Sequence, residues 1–327
     1  MFKWEKLGRI FDPSDQGYNG WMKEFAQSPS VLIFDQFVRV FFCTRPKPSP
    51  EGNYLSFLSY IDLDRNNLTN VVNFCSSPPL ELGGYGTFDE FGTNPISVIK
   101  DNDEIRVFYA GWTRCESVPF NAAIGTAISR DGGKSFQRVG LGPVLSYCPD
   151  EPFLVGSPRV RKYGDKWYLW YVAGKKWLQS NDKPEPVYKI RMATSEDGLN
   201  WNRLGIDLID DKLGEHECQA CPDVIKQNGV YHMFFSYRHS HNYKEAQNGY
   251  RIGYATSVDM VSWNRRDELA GMDVSEEGWD SEMVNYPHVF QVDGKTYMLY
   301  QGNQMGRSGM GLAIMKHSDD WNETLSG

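Results

Sequence analysis

The chain has 327 residues, with 34 Lys and Arg against 42 Asp and Glu and a formal net charge of −8. That balance argues against a nucleic-acid polymer as partner, because binding to a phosphate backbone rests on clustered cations. Apolar residues make up 40% and aromatic residues 14%. This is ample for a large core, yet no stretch approaches the length of a membrane span. Residues 1–20 lack the apolar run of a secretory leader, and the six cysteines (43, 75, 115, 148, 218, 221) follow no framework spacing. A cytoplasmic protein with reduced thiols is expected.

Along the chain, Trp4-Glu5-Lys6-Leu7-Gly8 comes first, a strand-like segment with no partner nearby in sequence. Five similar units then follow. Each opens on a proline that starts a short apolar strand: Pro29, Pro95, Pro158, Pro222 and Pro287, at intervals of 66, 63, 64 and 65 residues. A polar turn comes next, then a stronger aromatic and β-branched run: VRVFFCT, IRVFYAGW, WYLWYVAG, YHMFFSYR and TYMLYQGN. Third strands are read in AAIGTAIS, YKIRMATS, YRIGYATS and MGLAIMKH, and SRDGGKSF, SEDGLNW, SVDMVSW and SDDW turn the chain into a fourth.

Four antiparallel strands per unit, repeated with almost no helical periodicity, predict an all-β, five-bladed β-propeller. The expected blades cover about 24–80, 90–148, 153–212, 217–275 and 282–324 of one domain spanning 1–327. The last blade lacks a strand. Because Trp4-Glu5-Lys6-Leu7-Gly8 matches Trp201-Asn202-Arg203-Leu204-Gly205, residues 3–11 are expected to complete it and close the ring.

Strands alternate in direction, so the start of strand one and the loop between strands two and three share a face. The turns between strands three and four lie on the opposite face. Ser129–Phe136 resembles the Asp-box of sialidases, but belongs to those opposite turns, where a carboxylate caps backbone donors. On the other face, five residues before the prolines, stand Glu24, Glu90, Glu217 and Glu282; the third blade has Phe153 there and offers Asp150 and Glu151 instead. Carboxylates gathered at one channel mouth suit general acid–base work, with Glu217 or Glu282 as acid and Glu90, Asp150 or Glu151 as its partner. The alternative is that a Glu at a fixed register braces the loop entering each blade.

The loops after strand two bring cations and aromatics to the same face: Arg45, Trp112 with Arg114, Lys175 with Lys176, Arg238 with His239, and Asn303. Arg159, after Pro158, is expected near the channel, and His216 beside Glu217. These cations could hold a phosphate or carboxylate, or they could neutralise the glutamates. Cys218 and Cys221 form a single pair without a second at ligand spacing, so neither a metal nor another cofactor is expected.

Strand-opening prolines and blade endings of the type S-x-D-G-x-x-W resemble glycoside hydrolase families 43, 62, 32, 68 and 130. The segments DEPFLVGSPRV, GWDSEMVNYPHV and YMLYQGN are similar to bacterial glycosidase-like proteins of surface-polysaccharide gene clusters. The resemblance implies a carbohydrate or sugar-nucleotide substrate and cleavage or transfer of a glycosidic bond. Families 43 and 32 place Asp or Glu immediately before several of the prolines, whereas this chain has Ser28, Asn94, Ser157, Cys221 and Tyr286. In HECQACPD, Glu217 stands too far from Pro222 to match the family 32 motif. Three readings follow: a glycosidase acting on an anionic sugar, a phosphorylase of the family 130 type, and a catalytically silent carbohydrate-binding propeller.

Overall fold

A computed structural model describes residues 1–15, 20–180 and 183–318. It contains five sheets of four antiparallel strands each. The first blade runs Glu24–Ile33, Phe37–Arg45, Phe57–Asp64 and Asn67–Phe74 from the axis outward. The second runs Gly92–Asp101, Glu104–Arg114, Phe120–Ser129 and Gln137–Arg138, and the third Val155–Tyr163, Lys166–Ser180, Lys183–Ser195 and Asn202–Arg203. Glu217–Gln227, Val230–His239, Arg251–Ser257 and Asn264–Arg265 make the fourth. Asn285–Val292, Lys295–Gln301 and Met310–Ser318 begin the fifth, and the N-terminal Phe2–Phe11 pairs with Met310–Ser318 to finish it. The predicted turn at 318–321, with Trp321, lies outside the described residues beyond Ser318.

Innermost strands of successive blades pack on one another, and that of the fifth packs on that of the first, so the ring is closed. Aromatic and aliphatic side chains of strands two and three fill the space between blades; Phe41, Phe108, Trp170, Phe234 and Tyr300 are all fully buried.

An innermost strand has no ladder partner on its channel side. In four of the five blades a free N–H group there is taken by a side chain of the neighbouring blade. Val98 donates to Ser30 Oγ at 2.9 Å, Val160 to Ser97 Oγ at 3.0 Å, Val31 to His288 Nε2 at 3.0 Å and Val289 to Asp223 Oδ2 at 2.5 Å. Arg159, Asp223 and His288, each the residue after a strand-opening proline, therefore meet at the axis. Arg159 Nε lies 3.1 Å from Asp223 Oδ1, and His288 Nδ1 lies 3.3 Å from Asp223 Oδ2. All three side chains are buried.

The Asp-box turns sit at the far ends of the blades. Asp131 accepts from the Lys134 and Ser135 N–H groups at 2.9 and 3.0 Å, and Asp197 and Asp259 do the same in the third and fourth blades.

Candidate functional site

Every innermost strand slips register against strand two around its proline. The breaks fall between Gln27 and Ser30, Thr93 and Ile96, Gly156 and Arg159, Ala220 and Asp223, and Asn285 and His288. Each break contains the strand-opening proline, which has no N–H to give the ladder and so belongs in a bulge. Four of the preceding residues carry positive φ: Ser28 at 55°, Ser157 at 48°, Cys221 at 46° and Tyr286 at 52°. That conformation is costly for a residue with a Cβ, and more so before proline, so the surrounding structure must impose it. The bulges turn these side chains to one face of the ring. Asn94, Ser157, Cys221 and Tyr286 line a single central cavity there.

The cavity measures about 290 Å³, close to the lower end of ligand-site volumes, about 300 Å³. Arg45 and Trp112, at the ends of second strands, form part of its wall. Tyr188, within the third strand of the third blade, and Tyr250, just before that of the fourth, form another part, and Tyr54 closes it from a loop. Among the described residues that line it, Arg45 is the charged one and no carboxylate is present.

Arg45 has no carboxylate at ion-pair distance among the described residues. Its Nη2 donates to Gln27 Oε1 at 3.1 Å, its guanidinium lies 4.5 Å from the Phe25 ring and 5.3 Å from that of Tyr54, and its buried Nε has no partner. Burial presses its pKa below the ordinary arginine value. Behind the tyrosines stands Arg238, 4% exposed, stacked 3.7 Å from the Tyr243 ring and also without a carboxylate or an Nε partner. It donates to Tyr188 Oη at 3.3 Å, and the Tyr188 and Tyr250 hydroxyls are 2.7 Å apart. A half-buried Arg45 and a buried Arg238, neither at ion-pair distance from a carboxylate among the described residues and the second feeding a pair of hydroxyls, suit the approach of an anion. Trp112 is fixed by its Nε1 bond to Ser56 Oγ at 2.9 Å and brings an aromatic surface of the kind that sugar rings meet.

The carboxylates named from the sequence lie elsewhere. Glu217 is fully buried; it accepts from the Lys212 and Leu213 N–H groups at 2.9 Å, from Gln219 at 2.9 Å and from Arg265 at 2.7 Å. Glu151 is buried between Tyr171, Arg191 and Arg203. Glu90 is half-buried and accepts from the Gly86 N–H at 2.9 Å, while Asp150 and Glu282 are exposed. None of the five lines the cavity. Glu24 is the member of the glutamate series joined to it: Tyr54 Oη donates to Glu24 Oε2 at 2.9 Å, and Arg307 holds the other oxygen at 2.9 Å.

Of the predicted binding residues, Arg45 and Trp112 face the cavity and Arg238 stands one layer behind. Arg159 is committed to Asp223, outside the lining. Arg114 packs 4.1 Å from the Phe91 ring and donates to the Tyr54 carbonyl at 3.0 Å. Lys175 pairs with Asp207, His216 with Glu215, and Asn303 accepts from the Glu282 N–H at 2.8 Å. His239 is half-buried outside the lining. Cys218 and Cys221 diverge: Cys218 Sγ donates to the Pro186 carbonyl at 3.1 Å, and Cys221 sits in the cavity floor with Ser28 and Ser157 at 3.7 Å.

Sequence reasoning passed over Tyr54, Tyr188 and Tyr250. A signal was present for two of them, since Tyr188 and Tyr250 hold the same first place in the matching segments YKIRMATS and YRIGYATS.

No protein-family model matches the chain. The protein Rv1502 of Mycobacterium tuberculosis, described as uncharacterized, is 32% identical over 315 residues, 96% of this chain and 99% of its own length. A β-1,2-mannobiose phosphorylase of a Thermoanaerobacter species is 31% identical over 121 residues, 36% of this chain and 35% of that enzyme. Among solved structures, a β-1,2-mannobiose phosphorylase from Listeria innocua superposes with a TM-score of 0.68 at 13% identity, covering 96% of both chains. The fold is thus that of the five-bladed propeller glycoside hydrolases and phosphorylases.

Proposed function

We propose, for a chain that belongs to the family of Rv1502 and carries the propeller of glycoside hydrolases and phosphorylases, that the central cavity binds a sugar bearing an anionic group. The observation behind this reading is Arg45, which faces the cavity with a buried, unpartnered Nε and no carboxylate among the residues that line it. The anion, a phosphate or a carboxylate, lies against Arg45 and the Tyr188–Tyr250 hydroxyl pair. The sugar ring meets Trp112 and Tyr54. Hydrolysis by two carboxylates needs both of them about 5–10 Å apart across the scissile bond, and a lining without acids favours recognition over that chemistry.

Calorimetric titration tests the reading with mannose 6-phosphate, glucuronic acid, a UDP-hexose and a neutral methyl mannoside. At least one anionic ligand should bind at least about ten-fold more tightly than the neutral one, a step of about 1.4 kcal/mol. Equal affinity, or no binding of any anionic sugar at millimolar concentration, defeats it. Comparing the phosphate and uronic-acid arms identifies the anion.

A second reading, phosphorolysis, has support from the segment similar to the Thermoanaerobacter phosphorylase and from the Tyr54–Glu24 bond. An oxygen of inorganic phosphate on Arg45 attacks the anomeric carbon as the glycosidic C–O bond breaks. The proton the phosphate loses reaches the leaving oxygen through Glu24 and the Tyr54 hydroxyl, which leaves a sugar 1-phosphate and a free sugar. Incubation with β-1,2-mannobiose, with and without phosphate, separates this reading from simple binding.

A further inference from the structure

Beside the central cavity an open groove of about 560 Å³ runs out along the second blade. The two share the lining residue Ala122, near the start of the third strand, so the groove adjoins the cavity. Its character differs. No Lys, Arg, Asp or Glu lines it; Thr87, Thr113, Asn121 and Ser146 supply neutral hydroxyl and amide groups, and Leu141 and Tyr147 supply apolar surface.

That surface is unusually bare. Leu141 is 79% exposed and Tyr147 56%, and Tyr85, next to the lining residue Gly86, is fully exposed. Large apolar side chains gathered at one rim mark an interaction site more often than scattered ones do. Aromatic faces alternating with uncharged hydrogen-bonding groups fit the flat apolar faces and hydroxyl edges of neutral sugars. The contrast with the neighbouring cavity, which carries Arg45, tells which part of a ligand goes where.

We propose that this groove holds the continuation of a glycan whose anionic residue occupies the cavity, so that the natural ligand is an anion-terminated oligosaccharide rather than a monosaccharide. This rests on the reading of the cavity given above. Two or more neutral residues extend past Ala122, with Tyr147 stacking on one of them.

The experiment titrates the protein with ladders of mannose, glucose and galactose oligomers of one to four residues, each carrying a phosphate or a uronic acid at one terminus. Affinity should rise at least about five-fold between one and three residues in a ladder that binds, as one aromatic stacking contact would give. Tyr147→Ala should remove that gain and leave the one-residue affinity unchanged, whereas Tyr147→Phe should keep it. Affinity independent of length in every ladder that binds overturns the groove and leaves the cavity reading intact. So does a Tyr147→Ala protein whose main change is its oligomeric state, which would make the groove a contact between copies of this chain. If no anionic sugar of any length binds, the cavity reading fails and the groove with it.

Discussion

The Tyr171 hydroxyl donates to Glu151 at 2.6 Å, and the chain repeats that bond around the ring. Tyr109 donates to Asp89 at 2.9 Å and Tyr300 to Asp280 at 3.1 Å, the carboxylate standing 20 residues before the tyrosine in all three. A cation from the outermost strand completes each cluster: Arg138 on Asp89, Arg203 on Glu151 and Lys6 on Asp280. Glu217 holds the same place before Tyr237 and pairs with Arg265. In the first blade Met22 and Phe42 take the two positions inside an apolar cluster. In three blades the carboxylate ties the entrance of strand one to strands two and four, and in the fourth Glu217 keeps the link to strand four.

Glu151→Gln should therefore act on stability. It leaves Arg191 and Arg203 facing a neutral amide in a buried site, and removing one partner of a buried ion pair costs about 3–5 kcal/mol. Tyr171→Phe, which removes one hydrogen bond, should cost about 1 kcal/mol. Urea unfolding measures both, and sugar titration of the folded Glu151→Gln protein should match the parent. A midpoint equal to that of the parent would show that the brace carries no energy.

Arg45 should behave in the opposite way. Arg45→Ala removes a half-buried cation that no carboxylate meets at ion-pair distance among the described residues, so stability should change little while affinity for the anionic sugar falls about ten- to hundred-fold, the span of one charge-assisted hydrogen bond. Arg45→Lys should recover only part, because an ammonium cannot offer two parallel N–H groups to an oxyanion. Neutral-sugar affinity serves as the control; an equal loss there would make Arg45 a general packing residue.

Much of the ring was legible because its cause is local. Proline starts an innermost strand where a ladder N–H is missing anyway, and the polar turns between strands recur at the same period; both features stand in the residues themselves. The closure by Phe2–Phe11 was readable from Trp4 matching Trp201. The carboxylates were misleading for a geometric reason. Register counted from the proline varies, with Asp89 six, Glu151 seven, Glu217 five and Asp280 seven residues ahead, because the entering loops differ in length. Counting five picked Glu90 and Glu282, which neighbour the brace without joining it. The cavity wall was harder still. Tyr54 lies in a long loop, and its approach to Arg45 and Glu24 depends on how that loop crosses the end of the blade.

Glu24→Gln separates binding from phosphorolysis. Glu24 accepts from Tyr54 and Arg307 at the edge of the cavity, and an amide can still accept from the tyrosine but cannot carry a proton. Binding of an anionic sugar should change less than about three-fold, within the differences expected of a residue outside the direct contacts. Any phosphate-dependent release of sugar 1-phosphate should fall by about 10²-fold or more, the usual contribution of an acid–base group. Retained turnover would remove Glu24 from the chemistry.

His288 should make stability fall as the solution turns acid. Burial drives its pKa from 6.5 down to about 4, against the pull of Asp223. The geometry agrees, since Nε2 accepts the Val31 N–H and so must be unprotonated. Arg159 and Arg161 face the same cluster through Asp223 and discourage a further positive charge. The unfolded chain binds a proton here below pH 6.5 and the folded chain only near pH 4. Stability should thus be level above 6.5 and decline between 6.5 and 4 by up to about 3 kcal/mol. Burial alone would raise Asp223, but Arg159, His288 and Arg161 hold it below the usual carboxylate range, so its own loss begins only below about pH 4. Urea midpoints taken at pH 4.5, 5.5, 6.5 and 7.5 test this. Parent stability should climb to 6.5 and flatten, and His288→Asn should be less stable at neutral pH with a shallower slope. An unchanged slope in the variant would move the acid sensitivity to another group.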